Sequence, residues 1–255
     1  MSDGNVPAAL VTGGAQRIGG AIATALARKG YAVAIHAYRS ADTARALCRT
    51  IVASGGKAEV VTADLSDHAA VLSLVARSAA AVGPLTLLVN NAGEFEPDAI
   101  GNLDRALFDR QFAVNLRAPL FLAENFAAQV PAGADASIVN LVDQRVYKLT
   151  PQFVSYTLTK SALHTATTTL AQALAPRVRV NAVAPGPTLP SPRQDIDDFA
   201  RQAATLPLAH GPTPEDVADA VLYLAGAASV TGVTIAVDGG QHVAWQTPDA
   251  TGITE

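Results

Sequence analysis

Tyr156 and Lys160 stand four residues apart in the segment YTLTK, which opens a long stretch of helical period. Residues i and i+4 share one face of an α-helix, so a phenol and an ammonium group come side by side there. A positive neighbour favours phenolate, which is expected to lower the Tyr156 pKa and make the phenol a usable acid near neutral pH. The same spacing arises by chance on ordinary helices, so the pair takes its meaning from its company. That company is Asn90-Asn91-Ala92-Gly93 after one apolar run and Asp143 at the end of another.

A second chemical motif lies near the start of the chain. Thr12-Gly13-Gly14-Ala15-Gln16-Arg17-Ile18-Gly19 joins an apolar run to a helical period. Glycines at such a junction allow a tight turn and let a pyrophosphate approach the backbone amides of the helix N-terminus, although an ordinary glycine-rich turn reads the same way. The next apolar run ends in His36-Ala37-Tyr38-Arg39-Ser40. An NAD site usually carries a carboxylate at that place to accept from the ribose 2′-hydroxyl. None is present; Arg39 and Ser40 follow the run instead, and Arg17 sits inside the glycine loop, so two guanidinium groups are available to a 2′-phosphate. Either arginine alone reads as a solvated surface residue. Together, at two turns on the adenosine side, they point to NADPH.

These groups need a frame that brings them together. Apolar runs of β type at 8–12, 32–36, 58–62, 86–90, 136–142, 178–184 and 233–237 alternate with Ala/Leu-rich stretches of helical period. Strands alternating with helices build a parallel sheet, because parallel neighbours need a crossover. The expected fold class is therefore α/β, a single doubly wound Rossmann-type domain over residues 1–255 with a seven-stranded parallel sheet. Ligands in such sheets sit beyond the carboxyl ends of the strands, where strand order reverses, and the motifs fall there. Residues 185–212 hold six prolines and read as an irregular loop with a short helix, the variable part at about 187–210 covering the substrate; 241–255 read as a polar tail. His242 and Trp245 in that tail are candidates for closing the site.

Composition narrows the partners. Hydrophobic residues make up 49% and charged residues 16%, which suits a sheet covered on both faces. A net charge of -4 with no Lys/Arg cluster argues against nucleic acid and for a small molecule. The lone Cys48 fits a reducing cytoplasm, and the five histidines show no metal-ligand spacing. No stretch approaches the ~20 apolar residues of a membrane span, and the N-terminus shows no basic leader.

The loop TGGAQRIG, the NNAG motif, YTLTK, VNAVAPGP and VTGVTIAVDGG, in that order over roughly residues 7 to 240, resemble the short-chain dehydrogenase/reductase family. The resemblance implies that Tyr156 is the proton donor and that Lys160 binds the nicotinamide ribose and tunes Tyr156. It places Asn115, on the helix after strand four, in the proton-relay set. Asp64 and Leu65, ending strand three, would lie by the adenine, and Asn91, Ala92 and Gly93 beside the adenosine ribose. Pro185 and Gly186 would flank the nicotinamide. The family is commonly dimeric or tetrameric, packing the helices of Asn115 and Tyr156 against a partner.

One departure matters. The usual family serine stands thirteen residues before the tyrosine, and here that position is Asp143. Serine donates to a carbonyl oxygen, whereas an ionised carboxylate only accepts and would repel a developing oxyanion. Asp143 suits a ring that bears N–H groups or a nitrogen that must gain a proton. With Arg17 and HAYRS, this looks like the pteridine reductase and dihydromonapterin reductase branch, where an aromatic residue at the position of Phe95 stacks the pterin; that branch often has serine in place of Gly93. The expected function is NADPH-dependent reduction of a pterin or similar C=N bond. The alternatives are a carbonyl or oxoacyl reductase of the same family, and a non-catalytic NADPH-binding regulatory protein.

Overall fold

The computed structural model describes residues 6–247. Its order is β1 (Ala8–Val11), α1 (Arg17–Arg28), β2 (Ala32–Ala37), α2 (Ala41–Ala53), β3 (Lys57–Thr62), α3 (His68–Val82) and β4 (Leu85–Asn90). The second half runs α4 (Arg105–Phe112), a π-helical turn (Ala113–Arg117), α5 (Ala118–Gln129), β5 (Ala136–Leu141), α6 (Val154–Leu174), β6 (Val178–Pro185), α7 (Ile196–Ala204), α8 (Pro214–Gly226) and β7 (Thr234–Val237). Each strand lies within one residue of the bounds read from the apolar runs, because the central strands are buried on both faces and carry little polar interruption, while the edge strands β3 and β7 are only partly buried.

All seven strands are parallel in the order β3-β2-β1-β4-β5-β6-β7. Strand order reverses between β1 and β4, which opens a crevice at their carboxyl ends. Alternation along the strands divides the core. Leu10, Leu88 and Ile138 face α3 and α5 and pack with Leu74, Leu122 and Phe126. Val11, Val89 and Val139 face the other way, against Ile22 and Leu26 of α1 and Val221 and Leu224 of α8. Phe126 is fully buried, and its truncation to alanine would cost about 3–5 kcal/mol.

Between Pro185 and α8 the chain is irregular apart from α7, which Asp195 caps by accepting from the Asp198 amide. The tail is described only to residue 247 and holds one 3-10 turn, Gln241–Val243; the remainder of the expected tail lies outside the described residues. Among the described residues, no helix is long and apolar enough to cross a membrane.

Candidate active site

Two adjoining cavities of about 540 and about 500 Å³ lie along the carboxyl ends of the strands and share Arg17, Ile18, Asn91 and Gly93 on their common wall. The first gathers the residues singled out around the glycine loop and the β2 end: Gly13, Gly19, His36, Tyr38, Arg39 and Ser40. Asp64, Leu65 and Ala92 complete that set. The second gathers Phe95, Asp143, Tyr156, Lys160, Pro185 and Gly186.

The glycine loop is held from three sides. Gly13 adopts φ 61, and a Cβ there would come within 3.0 Å of the Ala92 backbone; a Cβ on Gly19 would run into the Gly13 carbonyl oxygen. Asn91 donates through Nδ2 to the carbonyls of Thr12 (2.8 Å) and Gly13 (3.1 Å), so its amide is spent on the loop. His36 is almost fully buried, and burial pushes its pKa down from 6.5 to about 4, so the ring is neutral. Its Nδ1 accepts from the Gly13 amide at 3.1 Å, which assigns the proton to Nε2 and makes that nitrogen the donor to the Ala63 carbonyl at 3.2 Å. His36 lines the cavity, yet its two ring nitrogens are spent on joining the glycine loop to the end of β3, a supporting role that sequence reading did not separate from ligand contact.

At the far end of this cavity the charge is mixed. The guanidinium of Arg39 lies 5.1 Å from the centre of the Tyr38 ring and that of Arg110 lies 5.9 Å from it. Arg110 pairs with Glu94 at 2.6 Å and approaches Asp64 at 3.9 Å. Burial raises the Asp64 pKa, but hydrogen bonds from Ser66 and Tyr38 and the charge of Arg110 outweigh it, leaving the carboxyl below its ordinary value. Sequence reading missed Arg110; it lies on α4, far from every motif, and only the fold brings it to the β3 end.

In the second cavity the Tyr156 hydroxyl donates to Asp143 Oδ2 at 2.9 Å, while Asp143 Oδ1 accepts from the Arg145 amide at 2.9 Å. Lys160 is buried, donates to the Leu141 carbonyl at 2.6 Å, and places Nζ 5.7 Å from the Tyr156 ring centre. The electrostatics reverse the expectation drawn from Lys160. Burial, then the Asp143 charge and its hydrogen bond, raise the Tyr156 pKa well above 10.0, and Arg145 only partly opposes them. The acceptor carboxylate touches the phenol directly whereas the ammonium does not, so the neutral phenol is the stable form. Burial also pulls Lys160 down from 10.5 to about 8, with Asp143 holding it up.

One wall of this cavity is aromatic. Phe95 stacks on Phe153 with centroids 4.3 Å apart and planes at 13°, and meets the Tyr156 ring edge-on at 4.7 Å. The guanidinium groups of Arg145 and Arg193 lie 5.2 and 5.5 Å from the Phe95 centroid. Arg193 also pairs with Glu96 at 2.8 Å and donates to the Phe95 carbonyl at 2.8 Å, and Arg17 donates to the Leu189 carbonyl at 3.3 Å. The irregular segment after Pro185 is thus tied to both sides of the cleft. Phe153, Arg145 and Arg193 were not found from sequence. Only Arg145, two residues from Asp143, offered a local hint.

Comparison with known proteins agrees with this geometry. Residues 13–242 match the family model described as enoyl-(acyl carrier protein) reductase, a member of the short-chain dehydrogenase/reductase group. The chain belongs to the short-chain dehydrogenase/reductase family. Among similar solved structures is FolM alternative dihydrofolate reductase 1 from Brucella canis complexed with NADP, 53% identical, covering 96% of this chain and 97% of that one with a TM-score of 0.93. The protein of the same description from Brucella suis, also in complex with NADP, is 54% identical, with 96% and 98% coverage and a TM-score of 0.93. Pteridine reductase 1 of Leishmania tarentolae is 34% identical over an alignment that covers 92% of this chain and 96% of that protein.

In this short-chain dehydrogenase/reductase Asn115 lines neither cavity. It sits in the π-helical turn, fully buried, and clasps the backbone of Glu94: Oδ1 accepts from the Glu94 amide at 2.8 Å and Nδ2 donates to the Glu94 carbonyl at 2.9 Å and to Thr159 Oγ1 at 3.2 Å. Its side chain therefore joins the loop after β4 to the helix of Tyr156. A Cβ on Gly93 would lie 3.5 Å from Asn115 Oδ1 and 3.6 Å from Lys160 Nζ, both ordinary van der Waals contacts. Gln241 lines the second cavity; His242 and Trp245 do not. His242 is held by Asp238 at 2.8 Å, and Trp245 is 69% exposed.

Proposed function

We propose that this chain is an NADPH-dependent reductase of a pterin-type C=N bond, converting a 7,8-dihydropterin to its tetrahydro form. The observation that carries the reading is Asp143, a carboxylate hydrogen-bonded to Tyr156 where the family usually places a serine donor. Such a pair accepts from ring N–H groups and holds a proton ready for a neighbouring nitrogen, and it would repel the oxyanion that forms in ketone reduction. The two Brucella relatives described as dihydrofolate reductases, and the Leishmania pteridine reductase, support the same substrate class.

The residues present fit NADPH. The cradle at Gly13 and Gly19 excludes any Cβ, the β2 end lacks a carboxylate, and Arg17, Arg39 and Ser40 line the cavity where a 2′-phosphate would lie. The relatives crystallised with NADP support this choice. When bound, the dihydronicotinamide supplies a hydride to a ring carbon. Phe95 offers a flat face for the substrate ring, and Asp143 orients its N–H edge. The neutral phenol of Tyr156 then gives up its proton, directly or through Asp143, to the nitrogen that gains electrons when its neighbouring carbon is reduced, and solvent replaces that proton. Lys160 and Arg145 offset the negative charge left on Tyr156 and Asp143 during the transfer.

The reading extends to the whole chain as one dinucleotide-binding and catalytic unit, with the segment 187–210 covering the substrate. It also includes a cytoplasmic homodimer or homotetramer formed through the helices of Asn115 and Tyr156; a solution mass by light scattering checks the assembly. Steady-state oxidation of NADPH with a panel of dihydropterins and ketones tests the function. Turnover with a dihydropterin and little with ketones is expected, and the reverse would establish a carbonyl reductase.

A further inference from the structure

We infer that Asp98 is a positioning residue for the Tyr156 centre, fixing the start of α6 and the Phe95 wall with one buried carboxylate. The inference rests on the proposed chemistry of Tyr156 and goes beyond it. Helix α6 begins without a local cap: its N-cap residue Phe153 adopts the left-handed conformation, φ 57, and supplies no side-chain acceptor. The first amides of a helix need partners from elsewhere. They find them 57 residues away in sequence, on Asp98 of the loop after β4. Both carboxylate oxygens accept from the Ser155 amide at 3.2 Å, and Oδ2 accepts from the Ser155 hydroxyl as well. The Asp98 carbonyl accepts from the Phe153 amide at 2.8 Å.

Asp98 is 5% exposed and has no cationic side chain within ion-pair distance among the described residues. A buried carboxylate without a counter-ion is tolerated only when hydrogen bonds and a favourable field offset its desolvation. Here the donors are those of Ser155, and the field is that of the N-terminus of a 21-residue helix. Gln111 on α4 completes the joint, donating to Ser155 Oγ at 3.0 Å and to the Glu96 carbonyl at 3.3 Å. The residue after Ser155 is Tyr156, and Phe95, three residues before Asp98, stacks on Phe153. A single joint therefore sets the spacing between the acid and the surface on which the ring would lie. The glycine loop is held separately by His36 and Asn91.

The test compares wild type, Asp98→Asn and Ser155→Ala, each confirmed folded at the assay temperature by circular dichroism. A displacement of about 1 Å at a reacting group costs up to about 100-fold, so Asp98→Asn should lower kcat on a dihydropterin about tenfold or more and raise KM for it. Affinity for NADPH, read by fluorescence, should stay close to wild type. Ser155→Ala should show the same split more weakly, and it serves alone if Asp98→Asn does not fold. Amide exchange should accelerate at residues 153–157 and 94–98 and not in the β1–α1 loop. Unchanged kcat and KM in a folded variant, or a parallel fall in NADPH affinity, overturns the inference. If wild type reduces no dihydropterin, the functional reading fails by itself, and amide exchange decides the positioning role: localised acceleration supports it, while uniform or unchanged exchange refutes it.

Discussion

Replacing Asp143 by asparagine keeps its shape and removes its charge. In wild type one oxygen accepts from Tyr156 at 2.9 Å, the other from the Arg145 amide at 2.9 Å, and the Arg145 guanidinium lies 3.6 Å away. An asparagine has one oxygen and must leave one of these partners facing a donor. A hydrogen bond to a charged group contributes about 1.5–3 kcal/mol, equivalent to roughly a ten- to hundredfold change in rate if it acts in the transition state. Loss of a positioned acid–base partner lies in the range of about 10² to 10⁴, so kcat/KM on a dihydropterin should fall about 100-fold. A second signature follows from Lys160. Asp143 raises the Lys160 pKa against burial, so its loss should move that pKa below about 8 and shift the basic limb of the pH–rate profile to lower pH. Asp143→Ser should also lose pterin activity while gaining activity on an activated ketone, since a hydroxyl donates to a carbonyl. The assay follows NADPH consumption at saturating cofactor across pH with both substrates. If both variants match wild type on the pterin, or the basic limb stays in place, the role assigned to the carboxylate is wrong.

Arg17→Ala with Arg39→Ala should erase most of the preference for NADPH over NADH, at about 1.5–3 kcal/mol for each charge-assisted contact to phosphate; a preserved ratio of kcat/KM values would mean both are surface residues. Tyr156→Phe should abolish or severely slow turnover and leave NADPH binding nearly intact by fluorescence titration, and unimpaired turnover would remove the phenol from the mechanism. His36 predicts an acid limb of stability. Between pH 6.5 and about 4 the unfolded chain binds a proton that the folded chain does not, so stability should fall as pH falls, by up to about 3 kcal/mol. His36→Gln should flatten that limb in urea titrations, and an unchanged slope would place the acid sensitivity elsewhere.

The sheet was legible because each strand is an apolar run bounded by turns, and because its motifs sit where such sheets put ligands. The parts that escaped reading act at long range. Asp98 caps a helix that begins 56 positions later, Arg110 reaches Asp64 from another element, and Arg193 crosses from the proline-rich segment to Phe95. No periodicity marks such contacts. The sign of the Tyr156 shift was misjudged for a related reason: spacing shows that Lys160 shares a face with Tyr156, but not that the Asp143 carboxylate is nearer to the hydroxyl.

Two of the ties that secure the segment after Pro185 end on main-chain oxygens, those of Leu189 and Phe95, beside the ion pair of Arg193 with Glu96. Every residue type presents that oxygen, so the attachments place no demand on which side chains occupy Leu189 or its neighbours. Mutational drift in the segment can therefore run ahead of drift in Arg17 and Arg193, and a duplicated gene could change the molecule it accepts by rewriting this stretch while its anchors and the sheet beneath stay as they are.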